Sequence, residues 1–277
     1  MIRWLWGRLR RWWHPPRVTI FIPLHSALRW VDNISEVIRN CPKDALIVVS
    51  DRTLEDNALK ILRDVHRLDP RLKFLAVSGN PGWREHVNWF LPQVRSEFFS
   101  IMPQDDCISR GHYESLLAAL DADPTRGIAF GRIEAHGIPG KNAPVLFPAM
   151  PPPPSFSAWQ DPWRAAIALD RDWNLGIPFR GLIRKGLLLP ILATPQDRFA
   201  DQLWVLGMSL TAKLVEVPQA IYHKRYYPES THAEWMPLSN KERLVALQAE
   251  VERRFSRDHK DYANIMAALS EAYPAAN

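Results

Sequence analysis

The chain has 277 residues, 47% of them hydrophobic and 23% charged, enough to bury a substantial core in one large domain or two modest ones. Its two cysteines, Cys41 and Cys107, exclude a disulfide framework and fit a reducing compartment. The net charge of +5 is concentrated in residues 1–17, where Arg3, Arg8, Arg10, Arg11 and Arg17 stand without an acid. The remainder is neutral, which excludes the broadly basic surface of a nucleic-acid-coating domain.

Residues 1–16, "MIRWLWGRLRRWWHPP", read as a basic amphipathic arm. Wound as a helix, Ile2, Leu5, Trp6, Leu9, Trp12 and Trp13 share one face and the arginines cluster opposite, until Pro15 and Pro16 stop the helix. Tryptophan beside arginine suits an anionic membrane surface. No apolar run is long enough to span a bilayer, and the apolar core and cleavage site of a secretory signal are missing. The expectation is a cytoplasmic protein held peripherally on the inner face of the membrane.

Continuous β-branched runs at 17–24, 45–51, 72–77 and 98–103 predict strands buried on both faces, with a fifth at 127–133. Helical spacing at 53–67, with Thr53 as N-cap, and at 84–95 and 112–121 fills the intervals. This alternation predicts an α/β fold with a mostly parallel sheet flanked by helices. Residues 17–143 form its first half. A proline-rich connection at 144–156 leads to a second half at 157–235, with a strand at 179–184, a helix near 198–210 and a short strand at 214–217. Ser239 and Glu242 predict a capping box for a helical C-terminal region at 236–277, with Leu244, Leu247, Val251 and Phe255 on one stripe.

Ligands of open parallel sheets sit beyond the carboxyl ends of the strands. Those ends carry Pro23, Leu24 and His25, then Ser50 and Asp51, then Gln104, Asp105 and Asp106. Carboxylates on one rim suit a hard divalent cation, Mn²⁺ or Mg²⁺, sharing phosphate oxygens with a substrate. Neither a dinucleotide fingerprint nor a P-loop is present.

In this order and spacing, "VTIFIPLH", "IVVSDRT", "SGNPGWREHVN" and "FFSIMPQDD" resemble the nucleotide-sugar half of family-2 glycosyltransferases with the GT-A fold, over roughly residues 17–135. The resemblance implies a metal-dependent, inverting transfer from a nucleoside-diphosphate sugar to a hydroxyl of a glycan or lipid-linked acceptor, as in surface polysaccharide or glycolipid synthesis. It implies that Asp51 contacts the base, that Asp105 ligates the metal, and that Asn80, Gly82 and Asn88 belong to the donor site. Pro23 and His25 shape the pocket floor, with Gln104 and Asp106 beside them. The sequence departs from the family pattern at Pro103, where the first acid of the D-x-D motif belongs, and at Ser50 and Arg52. Asp106 then takes part of the missing role.

The base that deprotonates the acceptor is expected near a helix start after that motif. Asp197 and Asp201 compete for it; Asp201 is preferred and Asp197 reads as a helix cap. "VPQAIYHKRYYPESTH" resembles the segment that closes over the diphosphate, with His223 as a metal ligand and Lys224 and Arg225 as donor-binding cations. Gly181 is expected to permit a close backbone passage near the acceptor. The rival readings are a nucleotidyltransferase on a similar sheet and a non-catalytic glycan- or nucleotide-binding module.

Overall fold

The computed structural model describes residues 15–53, 57–79, 81–151, 160–194, 199–227 and 239–274. Residues 1–14 of the arm, Asn80, Asp197 and residues 152–156 of the proline-rich connection lie outside the described residues.

The apolar runs form β1 (Val18–Leu24), β2 (Leu46–Asp51), β3 (Leu72–Ala76) and β4 (Phe98–Ile101). β1 lies between β2 and β4, and β3 flanks β2, all parallel. Phe21 of β1 stacks on Phe90 at 4.4 Å between ring centroids, and Phe90 meets Phe99 of β4, so aromatic packing fixes the sheet's lower face. The crossovers are α1 (Val31–Asn40), α2 (Ala58–Val65), α3 (Trp83–Phe90) and α4 (His112–Asp121). Thr53 does not cap α2. Its amide and hydroxyl both donate to the Asp51 carboxylate, and Asn57 holds the cap position. The helix α1 is additional to the sequence reading; its buried face mixes Ile34, Val37 and Ile38 with Asn33 and Ser35.

Beyond β4 the sheet changes direction. β8 (Leu182–Arg184) runs antiparallel to β4 and to β6 (Arg126–His136), and β9 (Lys213–Arg225) runs parallel to β6. β5 (Cys107–Ile108) then pairs antiparallel with the end of β9, giving the order β3-β2-β1-β4-β8-β6-β9-β5. The short strands expected at 127–133 and 214–217 are therefore one long pair, with register shifts between Arg126 and Ile128 and between Gly131 and Arg132. Within the proline-rich connection, β7 (Val145–Leu146) adds to β6 as a two-residue edge.

The second half packs α5 (Pro162–Asp172), α6 (Ala200–Ser209), α7 (Asn240–Arg254) and α8 (Tyr262–Ala272) together. The capping box forms as expected: Ser239 Oγ accepts from the Glu242 amide, and the Glu242 carboxylate accepts from the Ser239 amide. The buried Asp170 carboxylate ties α5 to α7 and to the end of α8, through Arg243 at 2.8 Å and the Tyr273 hydroxyl.

Gly181 does mark a close backbone passage, but against the protein itself. A β-carbon there would collide with the Ala129 carbonyl of β6 and crowd that of Pro178. Neither carbonyl can swing aside as a side-chain tip would. Gly181→Ala is therefore expected to cost about 1–3 kcal/mol in urea-induced unfolding. An unchanged midpoint would show that β8 does not need this approach.

Candidate active site

The carboxyl ends of β1 and β4 border a cavity of about 300 Å³, closed on its far side by the start of α6 and the end of β9. Its walls include Pro23, His25, Arg52, Trp83, Pro103, Gln104, Asp105 and Asp106 from the first half. Phe179, Arg180, Asp201, Lys224, Arg225 and Tyr227 come from the second. A more open recess of about 480 Å³ lies beside Arg126 and Lys213. These residues start β6 and β9, so it occupies the rim opposite to the one where such sheets bind ligands.

Asp106 is almost fully buried, and its carboxylate is fully engaged by the protein. Oδ2 accepts from the Tyr222 hydroxyl at 2.7 Å, Oδ1 accepts from the Arg225 amide at 3.0 Å, and the Arg180 guanidinium stands 3.5 Å away. The main chain on either side is held as well, because the Asn33 amide of α1 donates to the carbonyls of Gln104 and Asp106. Asp106 therefore joins the tip of β4 to the end of β9 and orders the wall. Asp106 also borders the cavity where the sequence placed it.

Asp105, one residue earlier, has the opposite environment. Burial, and then the charge of Asp106, push its carboxyl above the usual range, while a hydrogen bond from Tyr227 works the other way. Tyr227 is itself held by the Arg29 guanidinium, 4.7 Å from its ring centre, and by the Trp30 ring. Among the tip residues, Pro103 offers no ligand atom in its side chain. A divalent cation at this tip would rest on Asp105 alone, with phosphate oxygens of a ligand completing the shell. One or two carboxylates plus phosphates is an ordinary donor set for Mg²⁺, so the residues fit such an ion.

The remaining expected residues divide sharply. His25 and Pro23 do line the cavity, and Gln104 clamps the first of these: its Oε1 accepts from the His25 amide and its Nε2 donates to the His25 carbonyl. The Gln104 side chain thus shapes the floor. Asp51 reaches the carboxyl end of β2 but is buried and does not line the cavity, its Oδ1 accepting from Thr53; Arg52, the next residue, does line it. Gly82 precedes α3 as its cap, and the wall residue there is Trp83. Asn88 lies outside the lining, because both ends of its amide are bonded to the main chain of Ile191 at 2.9 and 2.6 Å. His223 is not beside Asp105. It points to the other face of β9, against Glu134 and His136.

Asp201 occupies the first turn of α6, where the helix dipole favours a carboxylate. Phe199, before it, adopts a left-handed conformation (φ 54°) that turns the chain into the helix. Facing Asp201 across the cavity is a cationic wall. Arg180 anchors to the Gly176 carbonyl at 2.8 Å, and Arg52 donates to the Pro81 carbonyl. Lys224 is buried, and burial followed by the charge of Arg180 lowers its pKa to about 7. Arg180 and Tyr227 were outside the sequence-derived residue set. Arg180 lay in a segment whose position depends on how β8 crosses the sheet, and nothing local marks it.

The family model "Glycosyl transferase family 2" matches residues 19–182, more than half of the chain. No curated protein matches the sequence significantly. Among solved structures, S. aureus TarS 1-349 in complex with UDP-GlcNAc is similar with a TM-score of 0.64 and 17% identity, over 92% of this chain and 71% of that one. The mannosyltransferase PcManGT from Pyrobaculum calidifontis, in complex with GDP-Man and Mn²⁺, is similar with a TM-score of 0.56 and 18% identity, over 98% of this chain and 77% of that one. These likenesses extend the GT-A architecture across both halves of the sheet. With its first half matched in sequence as well, the chain belongs to glycosyltransferase family 2.

Proposed function

We propose that the chain transfers a sugar, with inversion, from a nucleoside-diphosphate sugar to a hydroxyl of a glycan or lipid-linked acceptor. The observation that carries this reading is a single cavity holding Asp105 at one wall, Asp201 at another, and Arg52, Arg180, Lys224 and Arg225 between them. The similar structures, one in complex with UDP-GlcNAc and the other with GDP-Man and Mn²⁺, support a nucleotide sugar as donor.

In this mechanism the donor's diphosphate lies against Lys224 and Arg225, and Asp105 would hold Mn²⁺ or Mg²⁺. The ion, when bound, supplies Lewis-acid charge to the leaving diphosphate. Asp201 takes the proton of the acceptor hydroxyl as that oxygen attacks the anomeric carbon, and the C–O bond to the diphosphate breaks on the opposite side. Arg180, held by Asp106, keeps the cationic wall in place while negative charge grows on the leaving group. Trp83 and Phe179 pack edge to face and give the cavity an apolar side suited to a base or a sugar face.

The arm at 1–16 is proposed to rest on anionic lipid at the inner face of the membrane, where lipid-linked and nascent surface polysaccharides are extended. Among the described residues, no helix is long and apolar enough to cross a bilayer. Full-length protein should sediment with vesicles containing anionic lipid and lose that association when residues 1–16 are removed. Equal sedimentation of both forms would refute the anchoring role.

Asp201→Asn is expected to lower kcat by about 10²–10⁴-fold with little change in donor affinity, the size of a lost general base. Asp105→Asn should instead remove the metal-dependent part of donor binding, read by calorimetry with and without Mn²⁺. Full turnover in Asp201→Asn, or identical donor affinity in Asp105→Asn with metal, would refute the corresponding assignment.

Lys224 adds a pH signature. With its pKa lowered to about 7, the free amine is mostly neutral at pH 8, and an arriving diphosphate draws a proton onto it. Donor affinity should then fall by up to about tenfold per unit as pH rises above 7, with matching proton uptake measured in buffers of different ionisation enthalpy. Lys224→Met should flatten that slope. A slope unchanged by the substitution would assign the proton to another group.

A further inference from the structure

Behind the donor cavity, three side chains that the proposed transfer does not use converge on the sheet. Glu134 and His136 are two residues apart on β6 and so point to the same face. His223 of β9 stands directly opposite Glu134 in the parallel register. His136 Nε2 lies 3.2 Å from Glu134 Oε1 and 3.3 Å from His223 Nδ1, and the third edge, His223 Nδ1 to Glu134 Oε1, is 4.0 Å. Among the described residues this is the one group of three metal-ligating side chains whose donor atoms gather this closely.

The edge lengths are informative. An ion bound tetrahedrally at about 2.0–2.1 Å from nitrogen and oxygen ligands needs those atoms about 3.3 Å apart. Two edges already meet that requirement, and the third closes with a small rotation of a half-buried side chain. The donor set is two imidazoles and a carboxylate, which suits zinc and its neighbours rather than Mg²⁺ or Ca²⁺.

We infer that Glu134, His136 and His223 form a second metal site, for Zn²⁺ or a similar transition ion, which clips the end of β9 to β6. A fourth position stays open to water. The clip lies close behind the cavity wall. The Tyr226 amide donates to the His136 carbonyl at 2.8 Å, and Lys224, Arg225 and Tyr227 of the same segment line the donor cavity. The site is separate from Asp105, and nothing in it depends on the sugar-transfer reading.

Full-length protein, freed of metal by chelation and of any affinity tag, should bind one Zn²⁺ in a calorimetric titration without nucleotide present. At 100-fold excess over the dissociation constant, the thermal midpoint should rise by about 5 °C. Co²⁺ in its place should show the intense visible absorption of a four-coordinate ion. His136→Gln and His223→Gln should each weaken Zn²⁺ binding by at least 100-fold, whereas Asp105→Asn should leave it intact. Three results would overturn the inference: no binding of Zn²⁺ or Co²⁺ by the wild-type chain, binding unaffected by both histidine substitutions, or loss of binding in Asp105→Asn. None of these readouts passes through turnover, so the site and the proposed reaction can fail separately.

Discussion

The buried carboxylate of Asp106 is the contact on which the donor cavity depends. A carboxylate out of water must be met by donors, and here they come from three separate parts of the chain: the Tyr222 hydroxyl, the Arg225 amide and the Arg180 guanidinium. Satisfying that one charge therefore draws β9 and the turn before β8 against the tip of β4. The cationic wall is a consequence, since Lys224 lies between two of those partners and Arg180 is one of them. Removing the carboxylate would take the shared partner from all three donors at once, at a cost of about 3–5 kcal/mol, more than a surface ion pair contributes.

Asp105 and Asp106 share a backbone step yet face opposite demands. The second is satisfied by the protein, whereas for the first burial and a like-charged neighbour outweigh a backbone hydrogen bond, the Tyr227 hydroxyl and the charge of Arg180. Neighbouring carboxylates are pushed apart in this way when one is neutralised internally and the other is kept for a ligand. The first half of the fold supplies both acids, and the second half decides which of them is consumed.

The strands β1, β2 and β4 are legible in the sequence because burial on both faces demands unbroken apolar runs, and the capping box before α7 is legible because its chemistry is local. The helix α1 is hidden by its own function: Asn33 interrupts the apolar face in order to hold the Gln104 and Asp106 carbonyls. The length of β6 and β9 is hidden for another reason. Their outer portions alternate polar and apolar residues, and only their mutual pairing makes them strands. Within the cavity, Asp105, Asp201, His25 and Arg225 stand where strand and helix ends place them. Asn88 and Asp51 do not face it, because Ile191 and Thr53 take their polar atoms. A sequence shows which side chains can bond but not which backbone groups reach them first, and that competition separates the two sets.

Pro103 changes the electrostatics of the cavity as well as its coordination chemistry. An acid at that position would stand near Asp105, whose carboxyl burial and Asp106 already push upward. Proline removes that repulsion and one potential metal ligand together. With Asp106 balanced by Arg180, the groups left to meet a ligand are Arg52, Lys224 and Arg225 against Asp105 and Asp201. At an effective dielectric near 20, each cation within about 4 Å of a phosphate contributes on the order of 4 kcal/mol of attraction before desolvation is subtracted. In the proposed reaction these cations would share the neutralisation of a diphosphate with an ion at Asp105. Lys224 fits the same balance. Burial and Arg180 lower its pKa to about 7, so its charge near neutral pH is partial and an anion bound as proposed would complete it.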